Sequence, residues 1–142
     1  MHFERFLHVN IRCAPDDIPA IERFYADVVG LTVGFRPNFS FPGTWLYAGE
    51  DAIIHVQARY PQGSFVKDRH NGSVDHVAWK TSGAARFRAH LVELGVEFDE
   101  QNVPDAGYQV FLYDPVGTKL EFNFMGEQVE NAVAAGTEIK MR

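Results

Sequence analysis

The stretch Trp45–Val56 (WLYAGEDAIIHV) returns later in the chain as Phe111–Phe122 (FLYDPVGTKLEF). Laid over one another at an offset of 66, Leu46 meets Leu112, Tyr47 meets Tyr113, Ile54 meets Leu120 and His55 meets Glu121. A second echo comes earlier: Leu7-His8-Val9-Asn10-Ile11 resembles Asp75-His76-Val77-Ala78-Trp79 at an offset of 68. Offsets that differ by only two residues describe one duplicated unit with a small loop change between copies. Each copy opens on a strand carrying a His and closes on a strand carrying a His or a Glu. Four side chains able to bind a metal therefore occupy repeat-related positions.

Outward from that repeat, the chain reads as strand, helix and three strands, twice over. Phe3–Cys13 alternates Leu7, Val9 and Ile11 against His8, Asn10 and Arg12, the period of a half-buried strand. Pro15-Asp16-Asp17 opens a helix with acidic groups at its positive end; Ile18, Ile21, Phe24, Tyr25 and Val28 form its apolar stripe, and Gly30 stops it. Strands are predicted at Leu31–Phe35, Trp45–Ala48 and Ala52–Gln57, with a turn at Gly49-Glu50-Asp51. The second copy has strands at Val74–Thr81, Val96–Asp99, Tyr108–Tyr113 and Thr118–Phe124, and a helix over Ala84–Leu94 that ends at Gly95. Period 2 sets Ile54 and Val56 against His55, Val77 and Trp79 against His76, and Leu120, Phe122 and Phe124 against Glu121. The apolar faces are expected to pack under the helices, and the faces carrying His and Glu to line a cleft.

Length and composition, 142 residues of which 46% are hydrophobic, suit one compact domain with a proper core. The expected organisation is a single domain over 1–142, with modules at about 5–58 and 74–125, a linker at 59–73 and a tail at 126–142. A net charge of −6 without a Lys/Arg stripe argues against nucleic acid as a partner. Cys13 is the one cysteine, which excludes an intrachain disulfide framework, and no activating base adjoins it. The absence of a long apolar run points away from a membrane and to a cytoplasmic setting.

The duplicated unit, its two strand histidines and Asp114-Pro115-Val116-Gly117-Thr118-Lys119-Leu120-Glu121 together resemble the vicinal oxygen chelate superfamily. That group includes glyoxalase I, methylmalonyl-CoA epimerase, fosfomycin-resistance thiol transferases, extradiol dioxygenases and bleomycin-binding proteins. The likeness spans roughly residues 5 to 125. It implies an α+β fold of two tandem βαβββ modules forming a curled, half-open eight-stranded barrel with helices outside. It also implies a homodimer, and a divalent metal chelated by two neighbouring oxygens of a small-molecule substrate.

Position by position, the resemblance makes His8, His76 and Glu121 metal ligands and puts His55 at the fourth ligand position, which is usually Glu in glyoxalase I. Imidazoles with a carboxylate suit Ni, Zn, Fe or Co rather than Ca or Mg. With His55 bound, the set has four ligands; without it, two His and one carboxylate match the facial arrangement of non-haem Fe(II) oxygenases. The first functional reading is a metal-dependent lyase or isomerase of the glyoxalase kind, with Glu121 and His55 as catalytic groups. An extradiol-type dioxygenase is the alternative. Its pattern has a Tyr where this chain has Phe111 and a His upstream where Asn102-Val103-Pro104 stands, although Tyr113 could substitute. A bleomycin-resistance-like binding protein ranks third, since such proteins typically lack the ligand set. A thiol transferase would need a basic cluster near the metal, and none surrounds Lys119 or Arg12.

Arg12, Trp45, Tyr47, Phe111, Tyr113 and Asn123 are the candidate substrate contacts, with Asn10 and Lys119 on the same faces. Plainer readings apply elsewhere. A lone strand His is ordinarily a surface residue, which is how His2, His70 and His90 read, and Lys67 and Arg69 read as solvated loop. Asp-Pro and Gly form turns anywhere, and the paired aromatics could equally fill a core.

Overall fold

A computed structural model of the chain describes residues 1–63 and 73–132. Lys67, Arg69, His70 and the end of the tail, 133–142, lie outside the described residues. The chain divides into two compact units, 1–67 and 68–142. Each holds one βαβββ module, so the α+β class and the duplicated strand-helix-strand-strand-strand order are as the repeat predicts. No helix among the described residues is long and apolar enough to cross a membrane.

The first unit contains β1 (Val9–Arg12), α1 (Ile18–Phe24), β2 (Thr32–Val33), β3 (Gly43–Ala48) and β4 (Asp51–Gln57). Its sheet order is β1-β4-β3-β2, with β1 parallel to β4 and the other pairs antiparallel. Pro15–Asp17 forms a 3₁₀ turn ahead of α1, and Pro19 sits where a first-turn N–H needs no partner. The helix widens into a π turn over Tyr25–Val29 and stops at Gly30, whose φ of 86° suits a residue without a Cβ. Ile21, Tyr25 and Val28 of the predicted stripe are buried, and α1 packs on β3. Leu46, Ile54 and Val56 supply the sheet's share of the core.

The second unit contains β5 (Val77–Lys80), α2 (Ala84–Leu94), β6 (Asp99–Val103), β7 (Gly107–Tyr113) and β8 (Lys119–Phe124), in the order β5-β8-β7-β6. Again the first strand pairs parallel with the last. Phe87 of α2 packs on Phe122 and Phe124, with ring centroids 4.8 and 5.6 Å away, and Trp79 adds to the same face. The Glu127 carboxylate accepts from the Gly83 and Ala84 N–H groups at 2.8–3.2 Å, capping α2 from outside its own sequence.

Several predicted boundaries shift. β1 begins at Val9 and not Phe3, and β5 at Val77 and not Val74, so each His stands immediately before its strand. Parallel pairing starts only opposite Ile54 and Leu120, and upstream Phe3, Phe6 and Leu7 have no burial to gain. The predicted strand at Leu31–Phe35 shrinks to Thr32–Val33. The strand placed at Val96–Asp99 runs instead over Asp99–Val103, because residues 95 and 96 are spent closing α2: the Gly95 and Val96 N–H groups return to Val92 and Leu91 carbonyls. β6 has little apolar periodicity. Polar pairs hold it: Gln101 to Gln109 across the ladder, Asn102 to both backbone groups of Val129, and Glu100 to Arg88 and Tyr108.

Burial presses the Glu100 carboxyl upward, but the hydrogen bonds from Arg88 and Tyr108 and the guanidinium charge prevail, leaving it below its ordinary 4.5. A depressed folded value contributes stability that is complete above the unfolded value and lost as pH falls through the folded one. Glu100→Gln should therefore cost about 1–2 kcal/mol at neutral pH, toward the lower end because Arg88 is a third exposed. The gap between wild type and variant should narrow below pH 4.5. Urea unfolding across a pH series reads both effects; a gap that widens in acid would contradict this assignment.

Candidate functional site

Register places the candidate residues before any side-chain contact is considered. His55 on β4 has Asn10 of β1 and Trp45 of β3 as its Cα partners. Glu121 on β8 has Ala78 of β5 and Phe111 of β7. Alternation along the strand then brings His8 to the face of Asn10 and His55, and His76 to the face of Ala78 and Glu121. Each unit thus holds one pair, His8 with His55 and His76 with Glu121. Among the described residues, no three His, Cys, Asp or Glu side chains gather into one metal-binding group.

In the second unit the pair is polar and direct. His76 Nε2 lies 2.8 Å from Glu121 Oε2, and His76 Nδ1 lies 2.8 Å from Asp75 Oδ2. Asp75 also accepts from Lys119 Nζ at 3.0 Å. The bonds from His76 and then Lys119, and the Lys119 charge, hold the Asp75 carboxyl below its usual range. Glu121 is buried, and its Oε1 accepts from Asn123 Nδ2 at 3.3 Å. An imidazole that gives Nδ1–H to a carboxylate keeps Nε2 as the donor atom for a metal, the arrangement common behind metal-bound histidines. A separation of 2.8 Å is close to that of two neighbouring donors sharing an ion with bonds of about 2.0–2.2 Å. His76 and Glu121 therefore fit a divalent cation of the borderline class.

The first unit has stacked rings where the second has an ion pair. His8 and His55 lie face to face, centroids 3.7 Å apart at 16°, and Trp45 and His55 lie 3.8 Å apart at 7°. His8 Nδ1 is buried without a hydrogen-bond partner. The His55 imidazole is held below its ordinary 6.5, first by burial and then by the His8 charge, against a backbone hydrogen bond at Ala52. Around the stack, Phe39 and Phe41 extend the aromatic surface from Trp45, and the Arg36 guanidinium lies 4.8 and 5.1 Å from their ring centres.

The remaining candidates are in varied surroundings. Arg12 donates to the Tyr60 hydroxyl at 3.2 Å, and Tyr47 gives its own hydroxyl to the Phe35 carbonyl at 2.6 Å. Phe111 is buried edge-on to His76, with Lys119 Nζ 5.7 Å from its ring centre. Tyr113 pairs with Lys119 across the β7–β8 hairpin. Asn123 keeps its Oδ1 buried and unbonded while its amide nitrogen serves Glu121. The Asp114-Pro115-Val116-Gly117 motif serves the backbone: Asp114 Oδ1 accepts from the Val116 and Thr118 N–H groups at 3.0 and 2.8 Å and closes the turn that feeds Glu121 into β8. Asp75 is the participant that sequence reasoning passed over. Its signal, an acid directly ahead of a strand histidine, has no counterpart in the first copy, where Leu7 stands.

No family model matches the sequence. An uncharacterized protein of Synechocystis sp. is 27% identical over 112 residues, 72% of this chain and 32% of that protein, so the chain spans about a third of the relative's length. Among the solved structures similar to this chain are the following three. A protein from Bacillus anthracis assigned to the glyoxalase family has a TM-score of 0.71 and 20% identity, covering 88% of this chain and 98% of its own. A lactoylglutathione lyase from Agrobacterium tumefaciens has a TM-score of 0.60 and 21% identity, covering 84% and 92%. An antibiotic-binding protein from Streptomyces sp. has a TM-score of 0.62 and 16% identity, covering 88% and 100%. Identities this low establish a common fold and leave activity to the side chains.

The stack yields a pH prediction. With its folded value depressed, His55 contributes stability that is present above the unfolded pKa and lost as pH falls through the folded one. In metal-free protein its NMR titration midpoint should lie below 6.5, and His8→Ala should raise it by removing the neighbouring charge. A midpoint at or above 6.5 would contradict the packing described.

Proposed function

Because the chain has the fold of the vicinal oxygen chelate superfamily, we propose that it is a divalent-metal-dependent enzyme of the lyase or isomerase kind. Its substrate is a small molecule that chelates the ion through two neighbouring oxygens. The ligands are drawn from His8, His55, His76 and Glu121, and the donor set suits Ni, Zn, Fe or Co. The observation that carries this reading is the Asp75-His76-Glu121 chain, with its two 2.8 Å contacts. A histidine oriented by one carboxylate and set beside another, buried one is well suited to a cation.

Such an ion supplies Lewis-acid polarisation of a carbonyl oxygen. The chain's own groups do the rest. Glu121 and His55, at matching places in the two copies, are the groups able to take a proton from the carbon beside that carbonyl and return it. His55 is suited to the role of base because burial, and then the His8 charge, favour its neutral form. Trp45 and Phe111 offer flat apolar surface beside these groups, and Arg12, Tyr47, Tyr113 and Asn123 complete the proposed substrate contacts. A homodimer belongs to the same proposal.

A second reading has its own observation. The parallel stacking of His8 and His55 opposes a four-ligand set, and two His with one carboxylate is the donor set of Fe(II) ring-cleaving dioxygenases.

Metal content by plasma mass spectrometry, on protein purified without chelator or affinity tag, tests these readings. Near-stoichiometric Ni, Zn or Co, abolished by His76→Ala or Glu121→Ala, supports the lyase or isomerase; iron with oxygen uptake on catechols supports the dioxygenase. Asp75→Asn should weaken metal binding about 10–100-fold while leaving the fold intact. No metal in wild type after reconstitution with each ion would overturn both enzyme readings and leave a binding protein.

A further inference from the structure

In the first unit, β3 carries Gly43 and Trp45 two residues apart, so both lie on the face that His55 occupies on β4. At Gly43 the missing side chain leaves room for another: a Cβ there would fall 3.0 Å from Arg36 Nη2 and 3.1 Å from Arg36 Nε. The Arg36 guanidinium therefore takes, on that face, the place of a side chain at position 43. Its neighbours are rings. Arg36 Cζ lies 4.8 Å from the Phe39 ring centre and 5.1 Å from that of Phe41, and Phe39 leads on to Trp45 at 6.3 Å. Arg59, just beyond the end of β4, brings a second guanidinium to 4.9 Å from the Phe41 ring centre.

Two cations thus share one phenyl ring, and among the described residues neither is paired with a carboxylate. The chain, with 19 acidic residues against 13 basic ones, is not short of partners. Elsewhere it uses them: Arg5 takes both oxygens of Asp51, and Arg88 both of Glu100. Arg36 instead gives an Nη2–H to the Phe41 carbonyl at 2.9 Å and keeps a buried Nε–H with no acceptor. Pinning the loop by a cation–π contact accounts for one arginine. It does not account for the unsatisfied donor, or for a second cation that like charge disfavours there. A guanidinium with donors to spare beside an apolar ring is suited to a carboxylate carried on a flat body. Phe39 is 43% exposed and Arg59 is exposed, so the cluster is open to such a ligand.

We propose that Arg36, Arg59 and Phe39 form a binding site for a flat organic carboxylate, an aromatic or conjugated acid. Its body lies on Phe39 toward Trp45, and its carboxylate meets the guanidiniums. The inference goes beyond the metal-binding reading and does not depend on it, since every group it uses belongs to the first unit and none is a proposed metal ligand. The guanidiniums supply recognition of the charge and the ring supplies apolar surface, so a ligand lacking either binds poorly.

Titration of the full, metal-stripped chain with naphthoate, followed by proton–nitrogen NMR that includes the arginine Nε–H region, tests this without an activity assay. Wild type should show saturable shifts at the Arg36 Nε–H and the Trp45 indole. Naphthalenemethanol, the same ring without the charge, should bind about tenfold more weakly or worse. Arg36→Gln should weaken naphthoate binding by about tenfold or more and leave that of the alcohol within about twofold. Arg36→Lys, which keeps the charge but loses the fork, should fall between wild type and Arg36→Gln. Phe39→Ala should weaken both ligands alike. Equal affinity of wild type for acid and alcohol, or equal affinity of wild type and Arg36→Gln for naphthoate, would overturn the proposal. So would saturation that leaves the Arg36 and Trp45 signals unmoved, or no saturable binding at all. The comparison of acid with alcohol needs only wild type, so it decides the matter even where Arg36→Gln does not fold. Stripping the metal keeps the carboxylate from binding through an ion, so failure here leaves the metal-binding reading to its own test.

Discussion

Parallel pairing of the first strand with the last, made once in each unit, is the constraint on which the rest depends. Val9 opposite Ile54 and Val77 opposite Leu120 set the register in which core and candidate site are defined together. Ile54 and Leu120 are almost wholly buried, and their next neighbours in sequence are His55 and Glu121 on the other face. A slip of one residue would send both apolar residues outward and both polar ones into the core. Selection for a packed interior thus also holds the candidate pair in place, and no separate device is needed to aim it.

The two copies secure that register differently. In the second, Asp114 accepts two backbone N–H bonds through one carboxylate oxygen, and Gly117 takes the positive φ that completes the turn. Gly107, at the start of β7, lies so close to the last strand that a Cβ would fall 2.2 Å from the Phe124 carbonyl. In the first copy a register shift at Leu46/Tyr47 and a turn at Gly49 do the equivalent work. The irregularity leaves the Tyr47 ring braced against Gly34 and its hydroxyl on Phe35, which ties the short β2 to the sheet. The same ancestral hairpin therefore tolerates two turn chemistries, because what must be kept is the register beyond the turn.

The sequence was legible wherever burial drove the structure. α2 lies at Ala84–Leu94 and stops at Gly95 as predicted, and the repeat offsets of 66 and 68 reappear as matching Cα partners in the two sheets. It was less legible where polar contacts decide. β6 is built on Glu100, Gln101 and Asn102, whose side-chain bonds leave no apolar period to read. Asp75 escaped notice because its value lies in one bond to the ring beside it and another to Lys119, 44 residues away. The stack of His8, His55 and Trp45 was out of reach for another reason. Alternation tells which residues share a face but not how their rings are rotated, and the stack depends on that rotation.

The two copies differ most around their histidines. One half keeps a carboxylate within hydrogen-bonding distance of an oriented imidazole, and the other keeps an imidazole between two rings. The most direct measurement is a crystal structure of the cobalt-loaded protein with an anomalous difference map. The account predicts one strong peak within bonding distance of His76 Nε2 and Glu121. Anomalous density only at unrelated surface groups would contradict it.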